Sequence, residues 1–173
     1  MMIRSLMAML VVGIAACGGS GELSREEVTS IPPGDATGTA LSGSYRLTIV
    51  TTHCDGSCPS FQVIGSIYYS ICKPNATDHE TVTVTQKEGV LEVTGDSSLW
   101  VQNMSGGVLS DGQFDVGGYE TEADGNVQIT ARVKGTIDDT GSILATARVR
   151  GVGSAEGQTI NCTGTYDVTG ARQ

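Results

Sequence analysis

From Leu41 onward apolar and polar residues alternate with a period of two, as strands with one buried face require. Tyr45-Arg46-Leu47-Thr48-Ile49 sets the pattern. Phe61 to Ile71 puts Phe61, Val63, Gly65, Ile67, Tyr69 and Ile71 on one face of a predicted strand. Thr81-Val82-Thr83-Val84-Thr85 alternates cleanly, and Lys87-Glu88-Gly89 predicts a turn into Val90–Thr94. A weaker strand is predicted over Leu99–Met104, carrying Trp100, the only tryptophan. Ser110-Asp111-Gly112 marks another turn before Phe114 and Val116.

The last third is the most legible. Val127, Ile129, Ala131, Val133 and Ile137 share one face, opposite Gln128, Thr130, Arg132 and Lys134. Ile143, Ala145, Ala147 and Val149 face in against Thr146, Arg148 and Arg150. Ile160, Cys162, Gly164, Tyr166 and Val168 then face in against Asn161, Thr163, Thr165 and Asp167. Asp138-Asp139-Thr140-Gly141 fits a three-residue hairpin loop with Gly141 left-handed, and Asp124-Gly125 fits a two-residue turn. No stretch carries a helical period. The chain is therefore predicted to be all-β, an antiparallel up-and-down meander of eight or nine strands, closing as a barrel in preference to a sandwich. Gly43-Ser44-Tyr45-Arg46-Leu47-Thr48 and Gly164-Thr165-Tyr166-Asp167-Val168-Thr169 share one pattern, as strands meeting at a barrel seam would. The opening Leu41-Ser42-Gly43-Ser44-Tyr45 also resembles the Gly-x-Trp start of lipocalin-like, calycin-type barrels, with tyrosine in place of tryptophan. That resemblance implies a barrel and brings no ligand with it.

Composition agrees with strands: glycine is abundant at 24 residues, proline scarce at 4, and Thr, Val and Ser dominate the rest. The outward faces carry Thr, Arg, Lys, Asn and Asp, and aromatics make up 5%, which argues against a barrel facing lipid. A net charge of −9 repels nucleic acid, so no nucleic-acid partner is expected.

The N-terminus has a different character. Arg4 precedes an apolar run from Leu6 to Ala16 that is too short to span a bilayer and has signal-peptide anatomy. Leu10-Val11-Val12-Gly13-Ile14-Ala15-Ala16-Cys17 followed by Gly-Gly-Ser-Gly resembles the lipobox of bacterial lipoprotein precursors. The resemblance implies that residues 1–16 are a leader and that Cys17 becomes the acylated first residue. It further implies a lipid anchor in the bacterial envelope, with Gly18 matching outer-membrane rather than inner-membrane sorting. Residues 17–40, rich in Gly, Ser, Thr, Pro and Glu, are predicted to be a disordered tether reaching on the order of 25 Å. Leu23-Ser24-Arg25-Glu26-Glu27-Val28 has the makings of one helical turn. Residues 41–170 then form a single β domain.

Apart from Cys17, four cysteines remain: Cys54, Cys58, Cys72 and Cys162. An even number in an exported domain predicts two disulfides, with pairing open among three connectivities. A zinc set of His53, Cys54, Cys58 and Cys72 is the rival, disfavoured by the oxidising compartment and by the lack of paired CxxC knuckles. No metal or cofactor is expected.

Several residues bear chemistry. The hairpin register sets Arg132 opposite Arg148, flanked by Lys134 and Arg150, a cationic patch that wants an anion. The Asp124-Gly125 turn places Asp115 opposite Lys134, so neutralisation within the sheet is favoured over an external anion or docking partner. The same turn points Glu120 and Glu122 inward near a barrel mouth, as an acid/base pair or a cation site. A bulge at Gly117-Gly118 is the favoured alternative, returning both glutamates to water. Asp139-Thr140-Gly141-Ser142 matches one loop of aspartic proteases but lacks the second, and turn chemistry accounts for it. His53 and His79 are the only histidines, and no Gly-x-Ser-x-Gly elbow accompanies them. Small inward residues (Ala131, Gly135, Ala145, Ala147, Gly151, Gly164) face large ones (Tyr45, Leu47, Phe61, Ile67, Tyr69), which favours a filled core over a ligand cavity. The expected function is a non-enzymatic binding or envelope component, partnered by the membrane through its lipid and by an envelope protein. A lipocalin-like carrier of a small apolar ligand and an extracytoplasmic hydrolase are the alternatives.

Overall fold

The computed structural model describes residues 23–64, 67–95, 99–122 and 124–173. The signal-peptide and Cys17 expectations lie outside these residues. Eight strands close into an antiparallel barrel: β1 (Gly43–Ser57), β4 (Thr77–Lys87), β5 (Val90–Thr94), β6 (Asn103–Val108), β7 (Gln113–Glu122), β8 (Val127–Ile137), β9 (Ser142–Ala155) and β10 (Gln158–Arg172). Each barrel strand pairs with its successor, and β1 pairs with both β4 and β10, so the sheet has no free edge. The seam lies where the repeated Gly-x-Tyr pattern placed it, with β1 against β10.

Turn chemistry fixes the register of the last third. Asp124 and Gly125 both have positive φ (57° and 87°), the backbone of a tight hairpin turn, and Glu122 pairs with Val127. Gly141 has φ 81°, and Arg132 stands opposite Arg148 as the loop length requires. Asp138 holds the loop by accepting hydrogen bonds from the Thr140 and Ser142 amides. The inward residues of β8, β9 and β10 are buried as the alternation implies, from Val127 and Ala147 at 0% exposure to Val133 at 8%.

The predicted long strand Phe61–Ile71 is instead a two-stranded hairpin, β2 (Phe61–Ile64) and β3 (Ile67–Tyr69), with Ile64 paired to Ile67. It sits between β1 and β4 in the chain and outside the barrel sheet. The predicted strand Leu99–Met104 shifts to β6, and Leu99 and Val101 are buried from a loop rather than from a strand.

The predicted tether is the largest departure. From Leu23 the chain packs along the outside of the barrel as a strap. Ser24 caps helix α1 (Arg25–Thr29), its hydroxyl accepting from the Glu27 amide at 3.2 Å. Val28 is buried at 1% exposure. Beyond the helix the strap joins the barrel main chain to main chain: the Gly34 amide donates to the Gly89 carbonyl and the Ala36 amide to the Val108 carbonyl. Glycine makes this approach feasible, since a Cβ on Gly107 would lie 2.4 Å from the Pro32 carbonyl oxygen. Composition predicted disorder because few of these residues are apolar, yet Leu23, Val28 and Ala36 suffice once a sheet offers its surface.

At the end of the barrel where the strap enters β1, Tyr45 is fully buried and its hydroxyl donates to the Leu41 carbonyl. Arg172 of β10 donates to that same hydroxyl and to the Ala40 carbonyl, locking the seam.

Candidate functional site

The opposite end of the barrel is the capped mouth. Two disulfides hold the excursion between β1 and β4 over it: Cys54 with Cys72 and Cys58 with Cys162. All four thiols are used, so the rival zinc set of His53, Cys54, Cys58 and Cys72 has no free thiolate. Phe61 and Ile71 are buried at 1% exposure under this cap. Ile71 points at Gly151 of β9, where a Cβ would collide with its side chain. Large residues of the cap thus fill space left by small residues of the barrel.

The expected bulge at Gly117-Gly118 is absent: β7 pairs with β8 without interruption from Gln113 to Glu122. Glu120 therefore stands opposite Ile129 and Glu122 opposite Val127, both of which are fully buried inward residues. The two glycines serve close approach instead. A Cβ on Gly117 would meet Val28 of the strap at 2.8 Å, and one on Gly118 would meet the Asn103 carbonyl oxygen at 2.5 Å. The carboxylates accordingly belong to the mouth, each partly exposed.

Glu120 uses one oxygen to accept the Gln102 amide at 2.9 Å, which ties the loop before β6 to β7. Burial pushes the Glu122 carboxyl above its ordinary range, and the negative charge of Glu120 adds to the effect. Tyr69 reaches in from β3, its ring edge-on to Phe61 at 5.7 Å between centroids. Its hydroxyl is buried and has no hydrogen-bond partner among the described residues. Burial drives its pKa up, helped by the nearby Tyr166 hydroxyl and by the charges of Glu122 and Glu120. Tyr166 of β10 donates its own hydroxyl to the Ile71 carbonyl. Trp100 lies against the Tyr166 ring at 4.4 Å between centroids. Burial raises the Tyr166 pKa, the neighbouring Trp100 N–H opposes the rise, and the charge of Asp78 adds to it. The mouth is thus acidic and aromatic, with one orphaned hydroxyl among the described residues. Tyr69 and Trp100 entered the sequence pattern only as an apolar face and a weak strand, because a hairpin and a loop bring them here.

No family model matches the chain, and no curated protein or solved structure matches it.

Between the mouth and the Tyr45 end lies a wholly apolar cavity of about 50 Å³, lined by residues including Leu47, Val82, Met104, Phe114 and Val168. Ligand sites run to about 300–1,000 Å³, so side chains fill this barrel in the structure described.

Within the cationic patch, Arg132 and Lys134 have a carboxylate partner in the sheet. Arg132 makes a bidentate pair with Asp115, Nε to Oδ1 at 2.9 Å and Nη2 to Oδ2 at 2.7 Å, and Lys134 lies 3.3 Å from the same carboxylate. A partner invisible to strand register joins from the strap: Glu27 accepts from Arg132 Nη1 at 3.0 Å. Burial opposes the Asp115 charge, but the Arg132 hydrogen bonds, with the Arg132 and Lys134 charges, hold its carboxyl below the ordinary range. Arg148 and Arg150 stand beside this network on β9 and have interactions of their own. His79 is exposed and lies 3.2 Å from the Thr48 hydroxyl, and His53 is exposed on β1. Asp138 spends its side chain on the Asp139-Thr140-Gly141-Ser142 loop, where hydrogen bonds from Thr140 and Ser142 keep its carboxyl low.

Proposed function

We propose that this chain is an extracytoplasmic, lipid-anchored component of the bacterial envelope that works by binding and not by catalysis. The observation that carries the proposal is the pair of disulfides clamping the barrel mouth, because such bonds persist in oxidising compartments. The lipobox-like run ending at Cys17 supplies the anchor, and acyl chains contribute about 0.8 kcal/mol per buried methylene. With the strap docked from Leu23, only residues 18–22 separate the anchor from the barrel, at most about 22 Å of fully extended chain from Cys17 to Leu23. The domain then rides close to the headgroups, oriented by the β7–β8 face where the strap begins. Outer-membrane sorting follows from Gly18 in the same reading. Binding is favoured by the outward, exposed histidines and by the concentration of half-buried polar groups at the mouth.

Globomycin treatment of cells expressing the chain tests this. Accumulation of uncleaved precursor, with mass spectrometry of untreated cells giving a diacyl modification on Cys17, is the expected result. Unaffected processing and an unmodified Cys17 would overturn it. A second reading, carriage of a small apolar ligand, draws on the closed eight-strand barrel, whose apolar cavity would have to widen by side-chain movement to admit one. Native mass spectrometry separates the two, since a carrier purifies with a retained hydrophobic mass.

A further inference from the structure

We propose that the cavity inside the barrel is a binding site for compact apolar molecules, of the size of a dihalomethane, that enter past Trp100. This rests on the binding reading above, gives it a ligand class and is independent of the anchor.

The cavity follows from the strand rows. Direct pairing places Leu47, Gly170, Ile143 and Ile137 in one inward-facing row across β1, β10, β9 and β8. The next inward-facing row holds Ile49, Val168, Ala145, Gly135 and Phe114. Gly170, Ala145 and Gly135 therefore stand together and take up little of the interior. Gly135 cannot be enlarged, because a Cβ there would lie 2.3 Å from the Leu144 carbonyl oxygen. Nor can the wall easily close on the gap. Nine of the fifteen residues on it are valine or isoleucine, whose branched side chains are stiff at χ1. A space of about 50 Å³ is left.

The wall decides what this space takes. No polar atom faces it. A buried water makes about three hydrogen bonds, and here it finds none. A polar organic molecule likewise gives up its hydration with nothing in return. An apolar molecule gains dispersion contacts with wall atoms that otherwise lack a partner on one side. Drug-sized ligands need about 300 Å³ or more, so the size selects small molecules. Trp100 marks the way in. It alone on the wall is both half-exposed and off the barrel strands, and Met104, also on the wall, is the most adaptable side chain there.

The full-length chain, disulfides intact, is titrated with dibromomethane while its methyl proton–carbon spectra are followed. The sample is one whose native mass spectrum shows no retained cargo, organic extraction preceding the titration where needed. Saturable shifts are expected at Val82, Val116 and Val168, which reach the cavity from β4, β7 and β10, and not at the outward Leu144 and Val152. The efficiency ceiling for so small a ligand puts half-saturation at about 0.5 mM or weaker. Formamide, small but polar, should bind at least about tenfold more weakly. Val82→Ile with Val168→Ile adds two methyl groups to the space and should weaken dibromomethane binding at least about tenfold. Near-UV circular dichroism and the mass of the oxidised chain confirm that the variant folds, and Val116→Ile serves if the pair does not. No saturable shift of these buried methyls up to about 20 mM would overturn the proposal. So would equal affinity for formamide, or undiminished affinity in the filled variant. Because the titration does not depend on Cys17 or on cargo carried through purification, its failure leaves the globomycin and native-mass results standing, and the reverse also holds.

Discussion

Replacing Cys58 and Cys162 together with alanine removes a bridge that closes a separation of 104 residues, whereas Cys54 and Cys72 are 18 residues apart. Cross-linking stabilises chiefly by restricting the unfolded chain, and loop-closure entropy gives about 4.7 kcal/mol for the longer loop and about 3.2 kcal/mol for the shorter. Each bridge is measured with the other in place. The shorter bridge trims the longer loop only slightly, and the longer bridge offers the shorter loop no shortcut, so the ranking survives. For a domain of this size each kcal/mol corresponds to about 2–4 °C in Tm, so the longer bridge is expected to be worth about 9–19 °C and the shorter about 6–13 °C. Guanidinium unfolding of the two double variants and the parent, followed by Trp100 fluorescence and far-UV circular dichroism, yields the free energies by linear extrapolation. The variant lacking the Cys58–Cys162 bridge should be the less stable by about 1.5 kcal/mol. If losing Cys54–Cys72 costs as much or more, local packing of the cap and not chain entropy governs these bridges, and the ranking is wrong.

Gly107→Ala places a methyl group against the Pro32 carbonyl and should lift the strap, seen as faster amide exchange over residues 23–40 with the barrel amides still protected. Asp115→Asn should flatten the acid limb of the stability curve. The folded-state pKa of Asp115 is depressed, so its contribution is complete above about pH 4 and is lost as pH falls through the folded value. Solvent screens this pair, and the difference at neutral pH should stay under about 1 kcal/mol in urea titrations. Tyr45→Phe removes the hydroxyl shared by Arg172 and the Leu41 carbonyl and should cost about 1–3 kcal/mol in the same assay. A neutral result there would mean that the seam is held by strand pairing alone.

Strand alternation, turn residues and an even number of cysteines are local properties, and the sequence by itself determined what depends on them. Asp124-Gly125 and Gly141 set the registers that oppose Arg132 to Arg148 and Asp115 to Lys134, since a turn's φ angles and length dictate which residues face each other. The tertiary structure alone decided which thiols pair, because that depends on where the hairpin of β2 and β3 folds back over the barrel. It also decided that Gly117 and Gly118 are contact points and not a bulge. A glycine pair serves either purpose, and only the strap outside and the Asn103 backbone on the other side choose between them. The strap itself was illegible for the same reason: three buried residues among many polar ones cannot order a free chain, but a finished sheet presenting glycines at the point of contact lets main chain bond to main chain. The mouth gathers Tyr69 from the cap, Trp100 from a loop and Glu120 and Glu122 from one strand. Residues so far apart in sequence carry no shared local signal until barrel closure brings them together.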